Sequence, residues 1–172
     1  FGPTAPVGHA PYGIGLGISS AAFNQLLRGQ TECGLMRTSL TEIDLDGPGG
    51  VDPVPITSSL LSLLVPEFGK LPENTPLRID IAPTIAPVVT GASGPGGELS
   101  ELKIAQMGIE IVDPGTNTVW LGGAFDTRLG LNMSFLPDGS GLAVNVAVPE
   151  AADMIMTVIY NPLGVDEAQL EE

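Results

Sequence analysis

Histidine and cysteine are nearly absent from this chain, which holds one of each, His9 and Cys33. No internal disulfide can form, and zinc would lack its usual ligands. Catalysis by a Ser–His or Cys–His pair needs a base held beside a nucleophile. His9 stands in a Pro/Gly-rich stretch and Cys33 has no histidine near it in sequence, so the expectation is a solvated histidine, a core cysteine and no enzyme. Basic residues are scarce too: six Lys and Arg face 20 Asp and Glu, a net charge of −14. Arg28, Arg37, Lys70, Arg78, Lys103 and Arg128 are dispersed, whereas phosphate backbones and anionic lipid surfaces call for clustered cations. The expected partners therefore include no nucleic acid and no anionic bilayer held by charge. Aromatic residues make up only 5%, so the interior should be aliphatic. No apolar run approaches the roughly 18 residues that suggest a transmembrane segment.

What is present suits one domain. A chain of 172 residues removes about 70% of its unfolded surface from water on folding. Glycine (23) and proline (16) are abundant, but apolar residues reach 43% and the mean hydropathy is positive, enough to fill a core. The glycines and prolines read as punctuation between many short strands.

Residues 55–89, PITSSLLSLLVPEFGKLPENTPLRIDIAPTIAPVV, organise the rest. Thr57, Ser58 or Ser59 can cap a short helix that Pro66 closes. Leu60, Leu61, Leu63, Leu64 and Phe68 give it more apolar surface than a solvent-facing helix needs, so it must pack on something. In residues 75–82, Leu77, Ile79 and Ile81 alternate with Arg78 and Asp80, the pattern of a strand with one buried and one wet face.

Upstream, residues 1–11 read as a leader or linker. Residues 12–18 read as a strand whose second face is all glycine. Ser19 or Ser20 then caps a helix to about Gly29, with Ala22, Phe23, Leu26 and Leu27 on one stripe. Residues 31–45 fit either a further helical turn or a strand. Downstream, residues 98–112 form a strand in which Leu102 and Ile104 hold one parity and Met107, Ile109 and Ile111 the other. That switch near Ala105 and Gln106 predicts a β-bulge or an exchange of faces. DPGTNT (113–118) is a turn, and Val119 starts a further strand. The clearest alternation follows, with Phe125, Thr127, Leu129, Leu131, Met133 and Phe135 on a buried face. PDGSG (137–141) turns the chain into Leu142, Val144, Val146 and Val148. An apolar strand over 154–160 precedes a capping-box-like helix start, Asp166-x-x-Gln169.

Other site chemistry finds little support. Asp44-Leu45-Asp46-Gly47 invites a calcium reading, but Pro48 stands where an EF-hand needs a ligand. An irregular site joining Asp44, Asp46 and Asp52 competes with a plain Asp/Gly turn, and the turn is preferred. No metal and no cofactor is expected. Gly15–Gly17 and Gly94–Gly97 do not follow the phosphate-loop order. Paired carboxylates of the glycosidase kind are not singled out, since most acids sit in turns or on wet parities. What remains is apolar surface. Met107, Met133, Met154 and Met156 lie among Ile, Leu and Val, where methionine adapts to irregular neighbours. Each could be ordinary core or the wall of a lipid-accessible trough.

Several segments carry a resemblance. The helix end L-x-P-E-x-x-K (64–70), the P-x-x-x-P turn (72–76), the strand PLRIDI (76–81) and APVV (86–89) resemble the middle of one domain of the bactericidal/permeability-increasing protein family, the tubular lipid-binding superfamily. GLGISSAAFNQLLR (15–28) is similar to that family's opening strand and S-x-x-x-N-x-L-L helix, and the likeness extends more weakly to Asn161. It implies an α+β fold: a strongly twisted antiparallel sheet wrapped around one or two helices, over residues 12–172, with the last helix and strand missing. It also implies non-catalytic binding and shuttling of a lipid or other hydrophobic small molecule. On this reading the trough is lined by Phe23, Leu26, Leu27, Leu64, Ile79, Ile81, Met107, Ile109, Leu129, Leu131, Met133, Met154 and Met156. Exposed apolar surface would offer a homodimer contact. The acidic balance departs from the cationic defence proteins of the family. An exported, bacterial, envelope-associated protein suits the composition, and the alternative is an acidic structural or adhesion module without a ligand.

Overall fold

The computed structural model describes residues 19–44, 53–136, 141–149 and 153–166. The expected leader with His9, the strand at 12–18, Asp46 and Asp52, the turn at 137–140 and the helix start beyond Asp166 lie outside them. Within them the chain runs α1 (Ser20–Glu32), β1 (Thr38–Leu40), β2 (Glu42–Ile43), β3 (Val54–Pro55), α2 (Ser58–Leu61), a 3-10 turn (Pro66–Lys70), β4 (Arg78–Pro83), β5 (Val88–Thr90), β6 (Ser100–Asp113), β7 (Thr118–Phe135), β8 (Leu142–Val146) and β9 (Met154–Tyr160). The architecture is α+β: a mostly antiparallel sheet curled into a half-barrel, with two helices.

The long hairpin β6–β7 is the spine of a seven-stranded sheet. Asp113 fastens its turn. The Asp113 Oδ1 accepts from the Gly115 N–H at 2.7 Å, and the Thr116 hydroxyl donates to Oδ2 at 2.9 Å. On one side of β6, β4 pairs with residues 107–112 and β5 with residues 101–103. On the far side of β7, β9 pairs with residues 122–127 and β8 with residues 131–135. Each flank of the spine is therefore built from two short strands placed one after the other.

The register of β6 slips between Ile104 and Met107, and Gln106 between them has φ 52°. This is the bulge anticipated from the parity switch. One extra residue puts Leu102 and Ile104 on the same face as Met107, Ile109 and Ile111. The Asp126 carboxylate accepts from the Gln106 N–H at 2.6 Å, and the Thr84 hydroxyl donates to the Gln106 carbonyl at 2.6 Å. Without the bulge, half of the apolar side chains of β6 would turn to the polar face.

One end of the sheet is closed. Ile56, Leu61, Phe68, Leu77, Leu121, Leu163 and Val165 form a buried cluster, against which Ile79, Ile111, Trp120 and Val158 pack. Most of its cover comes from the segment rich in Leu and Pro. Thr57 caps α2 by accepting from the Leu60 N–H. The buried Ser58 hydroxyl donates to the Pro72 carbonyl at 2.7 Å and accepts from the Thr75 N–H at 3.1 Å, satisfying a polar group that would otherwise be costly to bury. The Lys70 ammonium donates to the Leu163 carbonyl at 2.5 Å, fastening the chain beyond β9. Gly123 lets β9 lie close against β7: a Cβ there would stand 2.7 Å from the Thr157 carbonyl oxygen.

Four expectations change. Leu63 and Leu64 are 79% and 76% exposed, because α2 ends at Leu61 and the chain turns before Pro66; only Leu61 and Phe68 of that apolar run reach the core. Cys33 is exposed, not a core thiol, since it is the C-cap of α1. The helix runs to Glu32 instead of Gly29, and the ambiguous segment after it resolves into β1 and β2. The strand expected from Val119 and the alternating run after Phe125 are one 18-residue strand, which passes through Gly122 and Gly123 without a break.

Candidate functional site

Strand parity collects the apolar side chains. Cross-strand pairs put Ile79 with Ile111 and Leu121, Ile81 with Ile109, Met107 with Phe125 and Met156, Leu102 with Val89 and Leu129, Leu131 with Val146, and Met133 with Val144. Directly opposed residues share a face, so these rows make one apolar face running the length of the sheet. Its opposite face is polar, carrying Asp80 with Glu110 and Lys103 with Arg128.

Burial along the apolar face is uneven. At the closed end Leu121 is 4% exposed, whereas toward the other end Met133, Val144 and Val146 are 37%, 50% and 53% exposed. Here α1 leans on the sheet. Ser19 caps it by accepting from the Ala22 N–H, and none of its residues is fully buried. What holds it is an amide. The Val89 N–H donates to the Asn24 Oδ1 at 2.7 Å, and the Asn24 Nδ2 donates to the Val89 carbonyl at 3.0 Å. The side chain thus gives the edge strand β5 the two bonds that a neighbouring strand would supply.

Between α1 and the sheet lies a half-open groove of about 290 Å³. Its apolar wall is Phe23 from α1, Val89 from β5, Leu131 and Met133 from β7, Val144 from β8, and Leu99. Ser20, Thr90, Gly91 and Ser100 supply its polar margin. None of these residues is charged. Among the described residues no group of three His, Cys, Asp or Glu is gathered to hold a metal ion.

Of the residues expected to line a trough, the structure brings Phe23, Leu131 and Met133 together in this groove. Leu129 lies two positions along β7 on the same face, half-buried. Ile81, Ile109, Met107 and Met156 lie further along that face. Ile79 belongs to the closed core. Met154, paired with Thr127 at the start of β9, is 46% exposed. Leu27 is half-buried, while Leu26 is 57% exposed and Leu64 stands in the turn after α2, away from the groove lining. Sequence reasoning missed Asn24, Val89, Leu99, Ser100 and Val144. Val144 was readable as part of an alternating strand. Asn24, a polar residue off the apolar stripe of an amphipathic helix, looked like solvent-facing surface.

Charged groups with displaced titration lie outside the groove. The Asp80 carboxyl is held below its ordinary range, chiefly by hydrogen bonds from the Arg78 guanidinium at 2.8 and 2.7 Å, then by one from the Ser39 hydroxyl at 2.6 Å. The Thr116 hydroxyl and the Gly115 N–H lower Asp113 in the hairpin turn. Both acids fasten the scaffold and neither faces the groove. No helix among the described residues is long and apolar enough to cross a membrane. No protein-family model and no curated protein matches the chain.

Proposed function

We propose that this domain binds a lipid or other amphiphile, without bond chemistry, in the groove under α1 and along the apolar sheet face that continues from it. The observation that carries this reading is the convergence of Phe23, Val89, Leu131, Met133 and Val144 on an uncharged groove that the chain leaves half open. Affinity would come from burying the ligand's chain, at about 0.8 kcal/mol per methylene. The resemblance of the 64–89 segment to the tubular lipid-binding superfamily agrees with this reading. So does a curled antiparallel sheet with a helix against its apolar side. On this reading the domain is half of such a tube, in an exported, envelope-associated bacterial protein that carries its ligand between surfaces.

A second reading draws on β9. Met154, Ile155, Ile159 and Tyr160 are 46%, 60%, 71% and 53% exposed, and the strand MIMTVIY has no charge, proline or glycine. Such an edge suits a module that assembles with copies of itself or with other envelope proteins and takes no ligand.

Native mass spectrometry of the purified full chain, with organic extraction and a fluorescent-lipid uptake assay, separates the two. A stoichiometric amphiphile, or saturable uptake by the monomer, is the expected result. Clean protein that takes up no lipid while forming oligomers would replace the first reading with the second.

A further inference from the structure

Helix α1 is attached to the rest of the domain at two places. Near its start, the Asn24 side-chain amide exchanges two hydrogen bonds with the Val89 backbone, at 2.7 and 3.0 Å. Among the described residues no other hydrogen bond or ion pair ties α1 to the sheet: Arg28 pairs with Glu32, and the Thr31 hydroxyl donates to the Leu27 carbonyl, both within the helix. At its far end α1 runs into residues 33–37, where Gly34 is left-handed at φ 72° and Leu35 is 75% exposed. The Gly34 and Leu35 N–H groups donate back to the Thr31 and Gln30 carbonyls, and the Arg37 N–H donates to the Gly34 carbonyl. No residue of α1 is fully buried, and Leu26 on its apolar stripe is 57% exposed.

The two attachments stand far apart. At a rise of about 1.5 Å per residue, Cys33 lies about 14 Å along the helix from Asn24. The groove is at the Asn24 end, where Ser20 and Phe23 form its helical wall. A rod joined at one end and latched near the other turns about the joined end, and its latched end moves furthest. The latch is weak, because hydrogen bonds broken into water are replaced by bonds to water, and elements with few buried contacts open at low free energy. We infer that α1 is a hinged lever: it pivots on residues 33–37, Asn24 latches it to β5, and release of the latch lifts Phe23 from the sheet and sets the rate at which a chain enters and leaves the groove. What passes under the lever rests on the amphiphile reading above; the motion itself does not.

Two measurements on the full chain, with Cys33→Ser as background, test this. The first needs no ligand. Spin labels at Gln25 on α1 and Glu110 on β6, both exposed, report the distance between helix and sheet. Asn24→Ala should add a second, displaced distance while circular dichroism keeps its helical signal. An unchanged distance would overturn the lever, and so would loss of the helical signal, since the helix would then melt instead of pivoting. The second measures Nile red entry and release by stopped flow. Asn24→Cys with Val88→Cys replaces the latch by a thiol pair that a short bis-methanethiosulfonate linker joins and dithiothreitol frees; neither position lines the groove. Unlinked, both rates should exceed those of the background protein by about tenfold, the scale of two lost hydrogen bonds. Linking should slow both, and reduction should restore them. Equal rates with and without the linker would mean that the open side of the groove suffices, which overturns the lever as the route. Failure of Nile red to bind at all would overturn the amphiphile reading, while the spin-label distances still decide the motion.

Discussion

The two ends of the apolar face differ in cover, not in composition. At one end Leu121 and Ile111 meet Ile56, Leu61, Phe68 and Leu77 and form a closed cluster. At the other, equally aliphatic Leu131, Met133 and Val144 border a half-open groove with Phe23 of a helix that is tied to β5 by one asparagine amide. The closed end has a chain segment devoted to it, with Ser58 and Thr57 satisfying the polar backbone that folding over an apolar surface would strand. The open end has a lever in place of a lid. Aliphatic content therefore says little about whether a surface is sealed or left open; the supply of covering chain decides it.

The largest effect should come from the closed end. Phe68 has no exposed surface, and Phe68→Ala should destabilise the domain by about 3–5 kcal/mol through lost burial and a residual cavity. Urea unfolding should show a lower midpoint, and a loss below about 1 kcal/mol would mean that this cluster is not the core.

The counterpart at the open end is Leu131→Asp. The half-buried side chain borders the groove, so a carboxylate there can stay hydrated in the free protein but must be stripped of water when an acyl chain arrives. Lipid uptake should be abolished while the thermal midpoint moves by only a few degrees. Full uptake by a folded Leu131→Asp variant would remove the groove from the site.

Asn24→Ala tests whether the ends are independent. Losing the two amide bonds to Val89 should weaken the α1–β5 contact by about 1–2 kcal/mol. Amide hydrogen exchange should then accelerate at Val89 and stay unchanged at Leu77, whose N–H bonds the Ile56 carbonyl within the closed end. Equal acceleration at both sites would mean that the sheet opens as one unit.

The smallest effect concerns acid. Because Arg78 and Ser39 hold the Asp80 carboxyl below its ordinary range, this group contributes stability in full above the unfolded pKa of about 3.9. The contribution is lost as pH falls through the lower folded value. With both partners partly solvated, about 0.2–1 kcal/mol is at stake. Asp80→Asn should lower the urea midpoint at neutral pH and leave it nearly unchanged at the acid end of the transition. An equal deficit at both pH values would point to geometry instead of charge.

Much of the scaffold was readable residue by residue. Ser19 or Ser20, and the run from Thr57 to Ser59, announce helix starts, with Ser19 and Thr57 the caps in the fold, and DPGTNT announces its turn. The change of parity between Ile104 and Met107 announces the bulge, because a strand that must keep one face apolar can only change parity by inserting a residue. The exposure of Leu63 and Leu64 was not readable: four leucines within five residues look alike until Pro66 and the Thr57–Pro76 bridge fix which of them turns inward. Nor was the groove. Phe23, Val89, Leu131 and Val144 come from four separate elements, and their meeting depends on Asn24 finding the backbone of a strand 65 residues away.

The sequence by itself determined the long strands of the hairpin, their apolar parity, the bulge that preserves it, and the poverty of His, Cys and clustered cations, because each depends on local spacing or composition. Only the tertiary structure decided which end of the apolar face is sealed and which stays half open. That outcome depends on long-range closure: the segment over residues 56–77 is near enough in the fold to cover one end, whereas α1 and the β5–β6 connection at Gly91 and Leu99 only border the groove at the other.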